Sequence, residues 1–594
     1  MFFAEENQLN EYARHIHSYL LPIPSYSIYE KYSNNLVDFF LWLLYNIFES
    51  AFENVIRHKF HIIRLEDVVV PKLRQMFLSV GAAMTLCVAI APSVMADKNS
   101  DHSSNSSPNT AANSSNSVLV TVNTKDPLAT ISPSAIGVNT AAWDQNLLDK
   151  SIPKMLKTIG VEALRFPGGS TADNYNWETG TTIDANAGGA DPNVNFNAFM
   201  NVAKKTGASP IITVNYGSNF SGTGGGEPQE AAAWVKYANI LHHDHVEYWE
   251  IGNEVYGNGF YGAQWEIDLH HSKSPQTYAQ NVIQFSKAMK AVDPKIQIGV
   301  VLTCPFNWPW GVKTPADWNK TVLNTLKQDP DAVNFVIVHW YAQNPGNESD
   351  SGLLSSTSQI PLMMSELRQE ISNDLSPAAA KRLKVFVTET NSVSYNPGKQ
   401  TTSLVNALFL DDDMLSWLQS GAANVDWWDL HNGAFAGNTS PSLYGNTTYG
   451  DYGLLSNGSS VTTSSGNTVT EPPVNTPFPT YYGFELAGDL VKPGATIVGS
   501  TASVSDIAVH ATQLRDGKLA VMIINKNPNK VYQVSLDLKG FRPNGTGIEY
   551  TYGEKSSGIT YQHFHQLGKT ISVQPYSVTD FIFNGSSLGK NQTN

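Results

Sequence analysis

The stretch YWEIGNEVYG, residues 248–257, runs apolar residues into an Asn253-Glu254 pair and ends at a glycine. Because polar residues open loops in most proteins, the pair alone predicts only the end of a short buried strand. The alternative interpretation is that a rigid strand delivers the carboxylate of Glu254 to the rim of a sheet. The sequence on either side of the stretch decides between them.

Short apolar runs recur between residues 135 and 433, and each ends in Gly, Asn, His or an acidic residue. Eight of them are found: AIGVNTAAW (135), ALRFPGGS (163), PIITVNYGS (210), VEYWEIGNE (246), KIQIGVVLT (295), FVIVHWYAQ (335), KVFVTETNS (384) and NVDWWDLHNG (424). Segments with apolar residues at helical spacing lie between them, such as residues 228–243 and 274–292. Eight units of strand then helix predict an α/β fold, the (β/α)8 TIM barrel. A doubly wound open sheet, which five or six strands would suit better, is the competing architecture.

Both flanks of this region alternate apolar and polar residues, as antiparallel strands do. The pattern covers residues 118–134 before the barrel and residues 491–585 after it. We therefore expect an antiparallel β-sandwich domain in which one N-terminal strand joins the C-terminal strands. The catalytic barrel domain is predicted to span residues 135–490, with a long Gly/Ser/Thr/Asn/Pro-rich loop at 434–478 after strand 8. Loops of that length are typical of lids or disordered segments.

The N-terminal region divides into three predicted segments. Residues 76–96 form an uncharged apolar run, which we interpret as a signal peptide cleaved before Asp97 or, if uncleaved, as a membrane anchor. Residues 97–117 are rich in Ser and Asn and predict a disordered linker. Residues 1–75 are an unexplained extension, which favours a mis-assigned start. This organisation predicts a secreted, extracellular protein.

Charge and motif content exclude several classes of function. Lys and Arg number 38 against 52 Asp and Glu, and the formal net charge of -14 argues against nucleic acid and anionic membranes as partners. The two cysteines, Cys87 and Cys304, cannot form a disulfide framework. The sequence has no HExxH, CxxC, P-loop, GxSxG elbow or strand-linked GxGxxG, so neither a metal nor a cofactor is predicted.

Active sites of TIM barrels lie at the carboxyl ends of the strands. Only two predicted strands end in glutamate, Glu254 on strand 4 and Glu389 on strand 7. Alternation lets both side chains point inward, whereas Asn253 has the opposite parity and reaches the site only if the strand bends or ends there. Two facing carboxylates, one ionised and one protonated, are what glycoside hydrolysis needs. Further polar or aromatic strand ends are aimed at the same mouth: Asn139, Arg165, Asn215, His339, Tyr341, Trp427 and Trp428.

Four motifs together resemble those of a known group of enzymes. They are LRFPGG at strand 2, WEIGNE at strand 4, HWY at strand 6 and TETN at strand 7. The set resembles the clan A retaining glycoside hydrolases, and the small β domain that shares both flanks resembles the family 51 α-L-arabinofuranosidases and the neighbouring families 39 and 79. The similarity covers about residues 118–585. Thr390 and Asn391 depart from family 51, in which an aromatic residue usually follows the nucleophile.

The resemblance implies Glu254 as the general acid/base and Glu389 as the nucleophile. It also implies substrate-binding roles around them: Asn253 at the sugar hydroxyl next to the anomeric carbon, Arg165 and Tyr341 on the carboxylate of Glu389, His339 in the pocket wall, and Trp427 or Trp428 as a sugar platform, the other lying in the helix layer. Asn139 and Asn215 are expected in the same mouth. No cofactor is implied.

The expected function is retaining hydrolysis of plant cell-wall polysaccharide or oligosaccharide, first as an α-L-arabinofuranosidase. An endo-β-glycanase of the same clan (endoglucanase, xylanase or xyloglucanase) is the alternative, and an inactive carbohydrate-binding protein is a more distant one. Glycosyl transfer would use the same covalent intermediate with a sugar acceptor in place of water. The loop at 434–478 is expected to decide between a closed pocket and an open cleft.

Overall fold

The computed structural model describes residues 116–585 except 185–188, 307–314, 464 and 567. The predicted extension and the signal peptide or anchor lie outside the described residues, as does the predicted linker except for its last two positions. Within the described part of the chain, no helix is both long enough and apolar enough to span a membrane.

Eight parallel strands close into a barrel. Each is hydrogen-bonded to the next along the chain, and the last is hydrogen-bonded to the first. We number them barrel strands 1 to 8: Ile136–Asn139, Ala163–Phe166, Ser209–Val214, Tyr248–Ile251, Gln297–Val301, Phe335–Gln343, Lys384–Val393 and Asn424–Trp427. All eight lie in the runs that predicted them or extend beyond them by one residue. The closed barrel confirms the (β/α)8 architecture and excludes the doubly wound open sheet.

Helices form the layer outside the barrel. Their bounds are Ile152–Thr158, Phe196–Thr206, Pro228–Val235, Pro275–Val292, Pro315–Leu326, Asp350–Ser356, Ile360–Asp374, Pro377–Arg382, Leu404–Gln419 and Pro479–Leu490. Side-chain caps fix several helix starts; Ser274, for example, accepts a hydrogen bond from the backbone N–H of Thr277. The helix Leu404–Gln419 is buried along most of its length because barrel strands pack on one side of it and strands of the β domain on the other.

The second domain is a nine-stranded sheet built from both flanks. In order across the sheet its strands are Thr560–Phe564, Pro543–Gly553, Ser577–Gly585, Leu519–Asn525, Ile507–Gln513, Thr496–Ala502, Ser117–Thr130, Tyr532–Lys539 and Ile571–Val573. Alternate residues of the N-terminal strand, Val118, Val120 and Val122, are buried in an apolar cluster that belongs to the sheet alone. The prediction of a β domain assembled from both flanks is confirmed, with its strands in one continuous sheet.

The long segment 434–478 forms a structured wall beside the mouth of the barrel. It contains a short hairpin, Ser460–Thr462 with Thr468–Thr470. Another two-stranded hairpin, Tyr175–Asn176 with Thr181–Thr182, lies outside this segment and follows barrel strand 2. Tyr452 is buried, and its hydroxyl donates to the carbonyl of Val393 at the end of barrel strand 7 (2.8 Å). The segment is therefore attached to the barrel along the strand that carries Glu389.

Two carboxyl groups that do not line the barrel mouth have raised pKa values. Asp426 on strand 8 is fully buried, accepts a hydrogen bond from Asn424 (2.7 Å) and has one oxygen without a partner among the described residues. Burial raises the pKa of Asp426 to about 8. Burial likewise raises the pKa of Glu162, which accepts from the backbone of Ala135, to about 7. Both carboxyls are thus protonated in the folded protein at mildly acidic pH.

We expect the free energy of unfolding to rise as the pH is lowered from about 8 to about 5. Above about pH 4 the unfolded chain releases protons that the folded chain still holds on Asp426 and Glu162, so stability falls as the pH increases toward the folded-state pKa values. Each unit of pKa shift corresponds to about 1.4 kcal/mol, which gives an effect on the order of a few kcal/mol. Urea unfolding at several pH values measures the slope.

The control for this prediction is a pair of matched substitutions. Asp426→Asn mimics the protonated acid and is expected to flatten the slope. Asp331→Asn changes a carboxyl whose side chain is 89% exposed and is expected to leave the slope unchanged. A slope that is the same in Asp426→Asn and in the unsubstituted protein would contradict the assignment.

Candidate active site

A cavity of about 760 Å³ opens at the carboxyl ends of the barrel strands. Six of the residues predicted from the sequence line it: Asn253, Glu254, His339, Tyr341, Glu389 and Trp428. The wall also includes residues that the sequence did not single out: Gly169, Ser170, Tyr256, Ala263, Gln264, Trp265, Cys304, Asn344, Ser394, Tyr395 and Tyr452. Glu254, which follows strand 4, and Glu389, which lies within strand 7, therefore share one cavity. Strand 7 continues past Glu389 to Val393, so the prediction that Glu389 ends its strand is wrong.

Both oxygens of Glu389 are held by donors. Oε1 accepts from Nη1 of Arg165 (2.8 Å) and Oε2 from the hydroxyl of Tyr341 (2.7 Å). A register shift in strand 7 skips Thr388 and sets Glu389 beside His339 of strand 6. Burial and the charge of Glu389 raise the pKa of Tyr341 well above its usual value, so the phenol remains a donor. These contacts fix the carboxyl group of Glu389 in one orientation.

Arg165 is 1% exposed, and each of its nitrogens has a partner. Nε contacts Oε2 of Glu250 (2.7 Å), Nη1 contacts Oδ1 of Asn139 (2.9 Å) as well as Glu389, and Nη2 contacts Oδ1 of Asn253 (2.8 Å). Asn139 is thus brought to the site but lies beneath Arg165 and does not line the cavity. Arg165 thus joins the carboxyl groups of Glu250 and Glu389 in one buried network.

Strand 4 ends at Ile251, and the chain turns sharply there. Gly252 has φ +77° and Glu254 has φ +37°, both in the left-handed region. The turn takes Asn253 out of the strand alternation and lets its side chain reach Arg165. The sequence predicted that Asn253 reaches the site only if the strand bends or ends there, and the strand does end there. A left-handed glutamate is strained, and such strain persists where surrounding contacts hold the residue in place.

Glu254 is held by three side chains. Oε1 accepts from the hydroxyl of Tyr256 (2.9 Å) and lies 2.9 Å from Nδ1 of His339, and Oε2 accepts from Nε1 of Trp265 (2.7 Å). Burial raises the pKa of Glu254, but the hydrogen bonds from His339, Trp265 and Tyr256 outweigh burial and place it below its usual value. The protonated form that a general acid needs therefore increases as the pH falls.

His339 lies between the two carboxylates. Its Nδ1 is 2.9 Å from Oε1 of Glu254 and 3.5 Å from Oε2 of Glu389, and its Nε2 is 3.1 Å from Oγ1 of Thr388. One oxygen of Glu254 and one of Glu389 lie within 4.8 Å of each other. Retaining glycosidases separate the two carboxyl groups by about 5–5.5 Å and inverting ones by about 6.5–9.5 Å. The distance between these oxygens is below the inverting range, which favours the retaining arrangement.

The same three side chains, Glu254, His339 and Glu389, are the one group among the described residues whose atoms could together hold a metal ion. The oxygens of Glu254 and Glu389 already accept hydrogen bonds, and Nδ1 of His339 is directed at Glu254. The guanidinium of Arg165 lies 2.8 Å from Glu389. A second cation at this position would face that positive charge. The donor set therefore suits a hydrogen-bonded carboxylate pair.

The two tryptophans at the end of strand 8 separate as alternation requires. Trp428 lines the cavity, and a Cβ on Gly169 would lie 2.7 Å from its ring, so only glycine permits this close approach. Trp427 is fully buried and packs against Phe409 of the helix layer, with 6.3 Å between ring centroids. Trp428 is thus the candidate sugar platform, and the prediction of Trp427 as a substrate contact is corrected to a core position.

Asn215 is a second correction. Its Nδ2 donates to the carbonyl of Tyr175 (3.1 Å) and to Ser218 (3.3 Å), and its Oδ1 accepts from the backbone of Ser218 (2.9 Å). Strand 3 ends at Val214, so Asn215 closes the following turn and does not line the cavity. Asn215 therefore has a structural role in the turn after strand 3.

Several contributors to the site were not predicted. Glu250 could have been predicted, because the alternation along strand 4 places it on the same face as Glu254. Trp265 and Glu266 had none, because they lie in the irregular loop after strand 4. Tyr452 comes from the long segment after strand 8, whose composition does not indicate which residue turns toward the cavity.

Comparison with curated proteins finds relatives over part of the chain. The chain is 26% identical over 215 residues to alpha-L-arabinofuranosidase C of Emericella nidulans, covering 31% of this chain and 36% of that protein. It is 24% identical over 237 residues to the intracellular exo-alpha-(1->5)-L-arabinofuranosidase of Acetivibrio thermocellus, covering 36% of this chain and 42% of that protein. The chain thus spans less than half the length of these relatives.

Solved structures share the fold. The arabinofuranosidase of Thermotoga maritima in complex with arabinose has a TM-score of 0.59 at 18% identity, covering 79% of this chain and 100% of that one. A family 44 xyloglucanase of Paenibacillus polymyxa has a TM-score of 0.55 at 13% identity, with the same coverage. At these identities the similarity concerns the architecture of barrel and sheet.

The barrel region also matches a family model. The model described as cellulase (glycosyl hydrolase family 5) matches residues 124–434, more than half of the 594 residues. The matched region contains all eight barrel strands and both glutamates of the cavity. The resemblance to clan A glycoside hydrolases is confirmed, and the chain belongs to the cellulase family, glycosyl hydrolase family 5.

Proposed function

We propose that the chain is a retaining glycoside hydrolase that cleaves plant cell-wall polysaccharide or its oligosaccharides by double displacement, acting on α-L-arabinofuranosides. The observation that carries the proposal is the carboxylate pair, with one oxygen of each group within 4.8 Å of the other in the cavity at the barrel mouth. Two arabinofuranosidase relatives support the choice of sugar.

In the first step Glu389 attacks the anomeric carbon. The new bond from its carboxylate oxygen forms as the bond to the leaving oxygen breaks, and Glu254 gives its proton to that oxygen. Arg165 and Tyr341 hold the carboxyl group of Glu389 in place for this attack. Asn253 has an N–H available for the hydroxyl on the neighbouring carbon.

In the second step a water attacks the anomeric carbon, Glu254 takes the proton of the water, and Glu389 leaves as a carboxylate. This step needs Glu254 ionised. The hydrogen bonds from His339, Trp265 and Tyr256 that lower its pKa favour that form. The site is therefore arranged for the base role of Glu254, and the acid role requires an acidic pH.

Hydrolysis of a β-1,4-glycan by internal cleavage is the second candidate. The match to the cellulase family favours it, and the cavity extends past the carboxylates to Ser394 and Tyr395. Loss of activity, as in a carbohydrate-binding protein, is disfavoured because both carboxylates are present and held by donors. Product analysis with excess sugar acceptor distinguishes glycosyl transfer from hydrolysis.

Secretion is also part of the proposal. Its support is the apolar run 76–96 followed by the Ser/Asn-rich segment. N-terminal sequencing of secreted material is expected to begin at Asp97, and material that begins at Met1 would contradict it.

The experiment that tests the function is a substrate panel. It compares aryl α-L-arabinofuranoside, β-D-glucoside, β-D-xyloside and β-D-glucuronide with arabinoxylan, xyloglucan and soluble cellulose. Release from the arabinofuranoside alone is expected. Inert aryl glycosides with a falling polymer viscosity would instead establish the endo-glycanase.

Glu389→Ala is the control within the panel. We expect it to abolish turnover on every substrate, because it removes the carboxylate that forms the covalent intermediate, while its thermal unfolding remains cooperative. Activity above a thousandth of the unsubstituted rate would remove Glu389 as the nucleophile.

Glu254→Ala should affect substrates according to their leaving groups. On natural glycosides, whose leaving oxygen needs a proton, we expect kcat/KM to fall by roughly 10²–10⁴-fold, the usual contribution of general acid catalysis. The first step on activated aryl glycosides should change far less. Steady-state kinetics on aryl glycosides of graded leaving-group pKa measure the difference, and an equal loss across the series would argue against the acid role.

His339→Leu should move the basic limb of the pH profile. The imidazole is the largest of the groups that lower the pKa of Glu254, so its removal raises that pKa and keeps the acid protonated to higher pH. We expect kcat/KM for poorly leaving substrates to decline at a higher pH than before. Tyr256→Phe, which removes a weaker contribution, is expected to cause a smaller shift in the same direction. A shift to lower pH would contradict the assignment.

A further inference from the structure

We infer that Glu266 is a positioning residue that fixes the amide of Asn253, and through it the recognition of the substrate hydroxyl next to the anomeric carbon. The inference rests on the proposed function. Glu266 lies in the loop after barrel strand 4, is 1% exposed, and does not line the cavity. Its effect on the substrate is indirect, through Asn253, which does line the cavity.

The contacts of Glu266 converge on one oxygen. Its Oε1 accepts from Nδ2 of Asn253 (3.0 Å) and from the hydroxyl of Ser170 (2.7 Å). Its Oε2 is buried and has no hydrogen-bond partner among the described residues. A buried carboxyl that leaves one oxygen unpaired is costly to the fold, which points to a use for the bonds made by the other oxygen.

The amide of Asn253 is thereby held from two sides. Its Oδ1 accepts from Nη2 of Arg165 (2.8 Å), and its Nδ2 donates to Glu266 (3.0 Å). A flipped amide would set its NH2 group against the guanidinium and its oxygen against the acceptor oxygen of Glu266, so both bonds would be lost. Arg165 alone fixes the oxygen; Glu266 fixes the plane and the nitrogen.

This arrangement leaves one N–H of Asn253 for a ligand. Nδ2 carries two hydrogens, and Glu266 takes one of them. Asn253 lines the cavity next to Glu254, so the second hydrogen is the donor that its amide offers to a substrate oxygen beside the reacting carbon. Holding this donor in place before binding lowers the entropy that recognition must overcome.

The charge state of Glu266 suggests a conservative replacement. Burial and the charges of Asp173 and Glu254 raise the pKa of Glu266 well above its usual value, so the group is a neutral carboxylic acid whose carbonyl oxygen accepts. Glutamine has the same shape and the same accepting oxygen. Methionine has a similar length and no such acceptor.

The experiment compares kcat/KM for the aryl glycoside that the unsubstituted enzyme prefers with kcat/KM for its 2-deoxy analogue, corrected for spontaneous hydrolysis. Glu266→Met is expected to lower kcat/KM on the parent substrate by roughly 10- to 100-fold, the usual range when a buried donor loses its acceptor. The 2-deoxy analogue should change less than about threefold, because it lacks the hydroxyl. Glu266→Gln should retain the parent rate within the same limit.

Two outcomes would overturn the inference. Equal losses on both substrates would make Glu266 a merely structural residue, and an unchanged parent rate in Glu266→Met would remove its role. Asp580→Asn changes another fully buried carboxyl, located in the β domain, and should alter neither rate. If Glu266→Met does not fold, Ser170→Ala replaces it, with a few-fold drop in the parent-to-deoxy ratio expected and an unchanged ratio contradicting the inference.

Failure of the inference is distinct from failure of the proposed function. An unsubstituted enzyme that is inactive on every glycoside contradicts the function. An active enzyme whose preference for the 2-hydroxyl survives Glu266→Met contradicts only the role of Glu266.

Discussion

The buried guanidinium of Arg165 is the interaction on which the site depends. Its nitrogens contact Asn139, Glu250, Asn253 and Glu389, which lie on or directly after barrel strands 1, 4 and 7. Removing one partner of a buried ion pair typically costs about 3–5 kcal/mol, because a charge is then left without compensation. Stability of the barrel mouth and the position of the Glu389 carboxyl group therefore depend on the same side chain.

The remaining site residues follow from that constraint. The guanidinium fixes the oxygen of the Asn253 amide. This contact is possible because strand 4 ends at Ile251 and the chain turns at Gly252. His339 then lies between the two carboxylates, close enough to Glu254 to lower its pKa. Glu389 is held by Arg165 of strand 2 and Tyr341 of strand 6. Glu254 is held by His339 of strand 6 and by Tyr256 and Trp265 of its own loop, so the spacing of the carboxylates depends on the barrel strands and on this loop.

The barrel was readable from the sequence because buried parallel strands are short continuous apolar runs, and all eight had recognisable ends. Glu254 and Glu389 could be predicted because a glutamate near the carboxyl end of a barrel strand is rare. For Trp427 and Trp428 the sequence predicted that one lines the cavity and the other lies in the helix layer, but it did not indicate which. The contacts of Trp265 and Glu266 could not be predicted, since the loop that carries them has no periodicity and its approach to the strand end is set by tertiary packing.

The sheet shared by both flanks has a consequence for the order of folding. Val120 pairs with Ala502 and, on its other side, with Leu536, so the first strand of the domain has no partner until about 380 further residues have been made. During synthesis the barrel strands lie entirely between the two halves of the sheet. The N-terminal strand must therefore remain unpaired while the barrel assembles, and the sheet is completed only when the chain is almost finished.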